Sequence, residues 1–173
     1  MNSSTLPIIW RFLGLVAVQG LLLKQMGMAV DLTYFNVLLY PLFILLLPLQ
    51  MPAPYVVLLG ALIGGAVDVF YASPGVHASA GAFSGFMRGV VIGMFSPKGG
   101  FSSKELIFSP AHVSWPTYLR GAAIFFFLHL FWYFSVDAFT FVYFGSIIGR
   151  TAASWGLTMI FVVLYGAMFN PKN

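Results

Sequence analysis

Long apolar runs separated by short polar breaks fill the chain. A membrane-spanning helix needs about 20 largely apolar residues, within a range of roughly 17–25. Six runs meet that length: about Pro7–Leu23, Thr33–Leu49, Pro54–Ala72, His77–Phe95, Tyr118–Val136 and Phe144–Phe169. Pro7 sits where an N1 proline belongs, and Pro41 should kink the second run. The connections Gln50–Ala53 and Ser73–Val76 are short, which predicts antiparallel neighbours. Ser96–Thr117 is the long polar connection. Within it, Ser102-Ser103-Lys104-Glu105 is a weak capping-box pattern that predicts a short surface helix. No connection has room for a soluble domain, so residues 1–173 read as a single all-α transmembrane domain of six helices. The first run reads as a retained helix rather than a signal peptide. No basic residue precedes it, Arg11 lies inside it and no clear small-residue cleavage site follows.

Composition narrows the class. Of the 173 residues, 60% are hydrophobic and 7% are charged, and the mean hydropathy is +0.94. Soluble domains carry about 25% charged residues, and a soluble globule this apolar would expose adhesive patches. A soluble enzyme, a disordered chain and a nucleic-acid binder are therefore excluded, and a polytopic membrane protein fits. The net charge of +4 is small and scattered, which argues against a nucleic-acid partner. The absence of cysteine removes disulfides, thiol nucleophiles and thiolate metal sites. Lys98, Lys104 and Lys172, with Arg11 and Arg120 near the membrane edge, fall on one side of a six-span topology. The other side has Lys24 in a loop, with Arg150 inside the last run. Both termini and the 96–117 loop are thus expected in the cytoplasm.

Small residues form rows. His77, Gly81, Gly85, Gly89 and Gly93 recur every four residues, with Ala80, Ser84 and Arg88 alongside. Gly60, Gly64 and Asp68 form a matching row in the third run, and Gly145 and Gly149 a shorter one in the last. Such rows let helix backbones approach closely. Either the third and fourth runs pack through them, or a helix of another protein uses one of the grooves.

Charges inside spans are costly and face an interior, a cavity or a partner. Asp68 and Arg150 have matching depths and could pair, with Asp137 competing for the same arginine. Arg88 lies about 10 Å deeper than Asp68 at 1.5 Å per residue, and His129 is at similar mid-depth. Arg88 and Asp68 form either an internal polar tie or a polar site for a ligand, ion or partner. His77, at a helix start, reads as a solvated residue, and His129 as hydrogen-bonded within the bundle. Three histidines in different elements do not suggest a metal site. No G-x-S-x-G, HExxH or paired carboxylates occur, so no catalytic residue or cofactor is expected. Trp115, Tyr118 and Tyr133 suit membrane interfaces.

An ordered set of landmarks carries a family resemblance. Leu39-Tyr40-Pro41-Leu42-Phe43 is followed by Gly64-Gly65-Ala66-Val67-Asp68-Val69-Phe70, then Pro74-Gly75-Val76-His77-Ala78-Ser79-Ala80. Phe86-Met87-Arg88, Ser96-Pro97-Lys98-Gly99-Gly100-Phe101, His129 and Asp137-Ala138-Phe139 complete it. The chain resembles the MreD family of rod shape-determining inner-membrane proteins. The resemblance departs at Leu130, where a second histidine often stands, and at Asp137, where glutamate is common. It implies a non-enzymatic integral scaffold in the bacterial inner membrane, supporting cell shape and side-wall peptidoglycan synthesis. Its implied partners are MreC and, through it, MreB filaments, RodA and its partner transpeptidase, together with membrane lipid. The family is also similar in architecture to the six-helix substrate-binding subunits of energy-coupling-factor transporters. A small-molecule-binding transporter subunit is therefore the alternative, with Arg88 and Asp68 shaping a polar pocket. An intramembrane enzyme ranks last.

Overall fold

The computed structural model describes residues 5–25, 35–101, 107–139 and 142–169. All its named elements are helices. Helix α1, Thr5–Ala17, runs on into a π-helical stretch, Val18–Leu23. There follow α2 (Pro41–Leu45), α3 (Ala53–Tyr71), α4 (Val76–Gly93), α5 (Trp115–Ala138) and α6 (Phe144–Phe169). Four stretches, Leu6–Leu23, Ala53–Tyr71, Trp115–Ala138 and Phe144–Phe169, are long and apolar enough to cross a membrane. The sequence in α4 dilutes its apolar residues with glycines, serines, His77 and Arg88.

Local chemistry sets the ends of these helices. Ser114 caps α5 by accepting from Thr117 N, and Pro116 occupies the first turn. Ala72 closes α3 in the left-handed region at φ 52°, and Gly75 at φ 90° opens α4. Gly75 supplies a conformation that side-chain-bearing residues resist. The α3–α4 hairpin is as expected from the short Ser73–Val76 connection.

The predicted glycine rows divide. A Cβ on Gly60 would lie 2.3 Å from the Gly81 carbonyl oxygen, and one on Gly81 2.0 Å from the Gly60 oxygen. A Cβ on Gly64 would lie 2.1 Å from the His77 oxygen, and one on Gly85 2.7 Å from Val57 Cα. Here α3 and α4 touch backbone to backbone, and nothing larger than hydrogen fits. Gly89 and Gly93 continue the row on α4, but they are exposed and a Cβ on either meets open space. Gly145 and Gly149 are likewise open. On the far side of α4 packs α5, with Phe83 and Trp132 stacked at 4.3 Å. In turn α6 packs on α5, and Trp155 Nε1 donates to the Ala123 carbonyl at 2.8 Å.

The second run corrects the expectation of a spanning helix over Thr33–Leu49. Residues 35–39 have no regular structure, and α2 is only five residues long. Pro41 lacks the N–H that would tie it to a preceding turn, so it starts a helix instead of kinking one. Pro48 again breaks the ladder, and it makes an isolated antiparallel bridge with Ile107. Residues 38–47 are buried throughout.

This broken segment runs back through the middle of the bundle. Lys24, just past the π-helical stretch, donates to the Phe70 carbonyl near the end of α3, so the C-terminal ends of these two helices meet. Val37 lies beside Gln19 and Leu46 beside Arg11, levels about 12 Å apart along α1 at 1.5 Å per residue. Non-helical backbone advances up to about 3.3 Å per residue, so a short stretch completes the return.

The 96–117 loop also differs from a wholly polar surface connection. Ile107, Phe108 and Ser109 are buried, with the Phe108 ring 6.1 Å from that of Tyr118. The capping-box pattern with Lys104, together with Lys172, lies outside the described residues.

Candidate functional site

Buried backbone polar groups need partners, and a non-helical segment cannot supply its own. In the interior, polar side chains from α1, α4 and α6 serve the broken segment. Gln19 is fully buried. Its Oε1 accepts from Leu39 N at 2.7 Å and Tyr40 N at 3.3 Å. Its Nε2 donates to the Val37 carbonyl at 3.0 Å and to the Tyr71 hydroxyl at 2.8 Å. From α6, Ser154 Oγ accepts from Asn36 N at 3.0 Å and Thr158 Oγ1 from Leu38 N at 3.3 Å. Ser154 and Thr158 are four residues apart and so share one helix face.

The other end is held by arginine. Arg88 is 4% exposed. Its Nε donates to the Leu45 carbonyl at 3.4 Å, and its Nη2 to the Pro48 carbonyl at 3.3 Å and to that of Leu47. Arg11 Nη1 donates to the Leu46 carbonyl at 3.4 Å. These carbonyls end α2 or lie just beyond it, where the helix dipole favours positive charge. The rigid guanidinium fork serves several acceptors at once, which a lysine ammonium does poorly. Arg88 is thus an internal tie, the first of the two roles read from sequence, and its partners are backbone carbonyls rather than Asp68.

Asp68 does a similar job for the α3–α4 turn. Oδ1 accepts from His77 N at 2.9 Å and Ser73 Oγ at 3.0 Å, and lies 2.9 Å from His77 Nδ1. Oδ2 accepts from Gly75 N and Ala78 N, both at 3.0 Å. A carboxylate from α3 therefore caps the N-terminus of α4, satisfying amides that the helix leaves open. Asp68 joins neither Arg88 nor Arg150. Arg150 instead lies 3.5 Å from Asp137, with its guanidinium carbon 4.6 Å from the Phe134 ring centroid.

His77 is fully buried, not solvated. Its ring sits among Tyr40, Tyr71 and Tyr133, at centroid distances of 5.7, 4.8 and 4.8 Å. A carboxylate only accepts, so Nδ1 carries the proton toward Asp68. Nε2 then presents a lone pair, buried and without a hydrogen-bond partner. The Tyr40 hydroxyl donates to the His77 carbonyl at 3.3 Å. His129 lies as expected inside the bundle, with Nδ1 2.7 Å from Ser84 Oγ and its ring 5.1 Å from Tyr40. Tyr40 therefore joins both imidazoles to the broken segment.

Of the residues singled out by sequence, His77 and Asp68 meet, His129 lies nearby across Tyr40, and Arg88 and Arg150 stand apart in different ties. Among the described residues no group of three or more His, Asp or Glu side chains is placed to hold a metal ion. Sequence reasoning missed Gln19, Ser154 and Thr158. The signals were present: an amide inside an apolar run, and Thr151, Ser154 and Thr158 at helix-face spacing. No family model, curated protein or solved structure matches the chain.

Proposed function

We propose that this protein is a non-enzymatic membrane scaffold of the MreD kind, with MreC as its partner in side-wall synthesis. In this reading the chain crosses the bacterial inner membrane six times, the second crossing being the broken segment. Both termini and the exposed Lys98 and Arg120 lie on the cytoplasmic side. The observation that carries the reading is the use of Arg88. Its donors go to Leu45, Leu47 and Pro48 carbonyls, so the deepest charge works to hold a rigid bundle. A pocket built on Arg88 and Asp68, as a transporter subunit would need, draws less support because the two groups are bound to separate backbone sites. The outward glycines Gly89 and Gly93 offer a close-approach surface for a partner helix.

Copurification from native membranes tests this. MreC is expected to be captured by the tagged wild-type protein and lost with Gly89→Leu, whose unfolding midpoint should match wild type. Depletion of the protein is expected to widen cells and reduce side-wall insertion. Normal cell width on depletion, or a vitamin-like ligand in place of MreC, would sink the proposal.

A further inference from the structure

An open groove of about 550 Å³ lies between α1 and α6. Its walls are Gly14, Leu15 and Val18 on α1 and Phe161 and Leu164 on α6, and Leu39 of the broken segment lines it as well. At one end Trp10, Arg11 and Tyr165, whose side chains carry hydrogen-bond donors, also line it, while nearly all of the lining surface is apolar. Arg11 lies about 9 Å along α1 from Thr5, and Tyr165 about 6 Å from the end of α6, at 1.5 Å per residue. In the six-span reading both positions lie within two helical turns of the cytoplasmic edge of the membrane. Among the described residues the groove lining contains this one cation and no carboxylate.

We infer that the α1–α6 groove binds an anionic phospholipid, with the phosphate at Arg11, Tyr165 and Trp10 and one acyl chain along the apolar wall. Charge complementarity selects the headgroup, because basic pockets between membrane helices on the cytoplasmic side take anionic lipids. Size selects the tail. An open groove of this volume accommodates a single extended acyl chain along its apolar wall. The site requires membrane embedding but not the scaffold role, so its failure would leave the MreC reading standing.

Native mass spectrometry of the full chain tests it, titrating phosphatidylglycerol against phosphatidylcholine. Phosphatidylglycerol is expected to bind preferentially, and Arg11→Gln to weaken it about tenfold, as expected from losing one charge-assisted contact. Arg11 also holds the Leu46 carbonyl, so a second variant is needed should Arg11→Gln not fold. Gly14→Phe serves, because a Cβ there meets nothing within 4 Å. It should fill the groove and reduce retention of both lipids while keeping the lipid-free unfolding midpoint. Equal binding of the two lipids, binding unaffected by Gly14→Phe, or a change of oligomeric state showing a second copy seated in the groove would overturn the inference.

Discussion

Arg88→Met is expected to lower the unfolding free energy by about 3–5 kcal/mol, since each buried acceptor stripped of its donor costs about 1–3 kcal/mol. The variant keeps an apolar stem of similar length but strips the buried Leu45 and Leu47 carbonyls of the guanidinium, whereas the Pro48 carbonyl keeps the Met51 amide. Arg88→Lys should rescue only part of the loss, because one ammonium cannot reproduce the guanidinium fork. Arg120 is exposed, and Arg120→Met should change stability by no more than about 0.5 kcal/mol. Denaturant titrations of the three variants in the same detergent provide the comparison. Equal midpoints for Arg88→Met and Arg120→Met would remove Arg88 from its structural role.

Gly81→Ala should be at least as damaging. Its added methyl would stand 2.0 Å from the Gly60 carbonyl oxygen, and the obstacle is backbone, which cannot rotate away. Overpacking a core typically costs about 1–3 kcal/mol when side chains can shift; here the whole α3–α4 hairpin must part. Gly89→Ala lies on the same row eight residues later and points into open space, so it should be neutral within about 0.5 kcal/mol. Yield of monodisperse protein and thermal midpoint report the contrast. A Gly81→Ala protein as stable as Gly89→Ala would show that the two helices do not meet through Gly60 and Gly81.

Much of the helical frame follows from apolar run length alone. The runs at 7–23, 54–72, 77–95, 118–136 and 144–169 match α1 with its π-helical extension, α3, α4, α5 and α6 to within a turn. Run length failed at 33–49 because hydropathy scores a residue buried in protein and one facing lipid alike. Leu38–Leu47 are apolar because they are enclosed, and the prolines at 41 and 48 were the sign that a continuous helix could not persist.

The polar residues were readable as a set but not as pairs. Asp68 and His77 are nine residues apart, and only the tight turn at Ser73–Gly75 brings the amides of His77 and Ala78 to one carboxylate. Depth matching suggested Asp68 with Arg150. It omitted the backbone, and backbone groups proved to be partners of both Asp68 and Arg88, with the Ser73 and His77 side chains joining at Asp68. Gln19 escaped notice for the same reason: its role exists only once the second run is known to be unwound.

The central claim is that residues 35–39 lead into the protein interior as unwound backbone held by Gln19, Ser154 and Thr158. The Asn36–Val37 pair is the only Asn–Val step in the sequence, so carbonyl-13C asparagine with 13C,15N valine singles out Val37 in a solid-state NMR spectrum of the protein in bilayers. The structure predicts carbon shifts for Val37 outside the helical range, and a return toward wholly random values when Gln19→Leu removes the donor to its carbonyl. Helical shifts at Val37 in the wild-type protein would contradict the account.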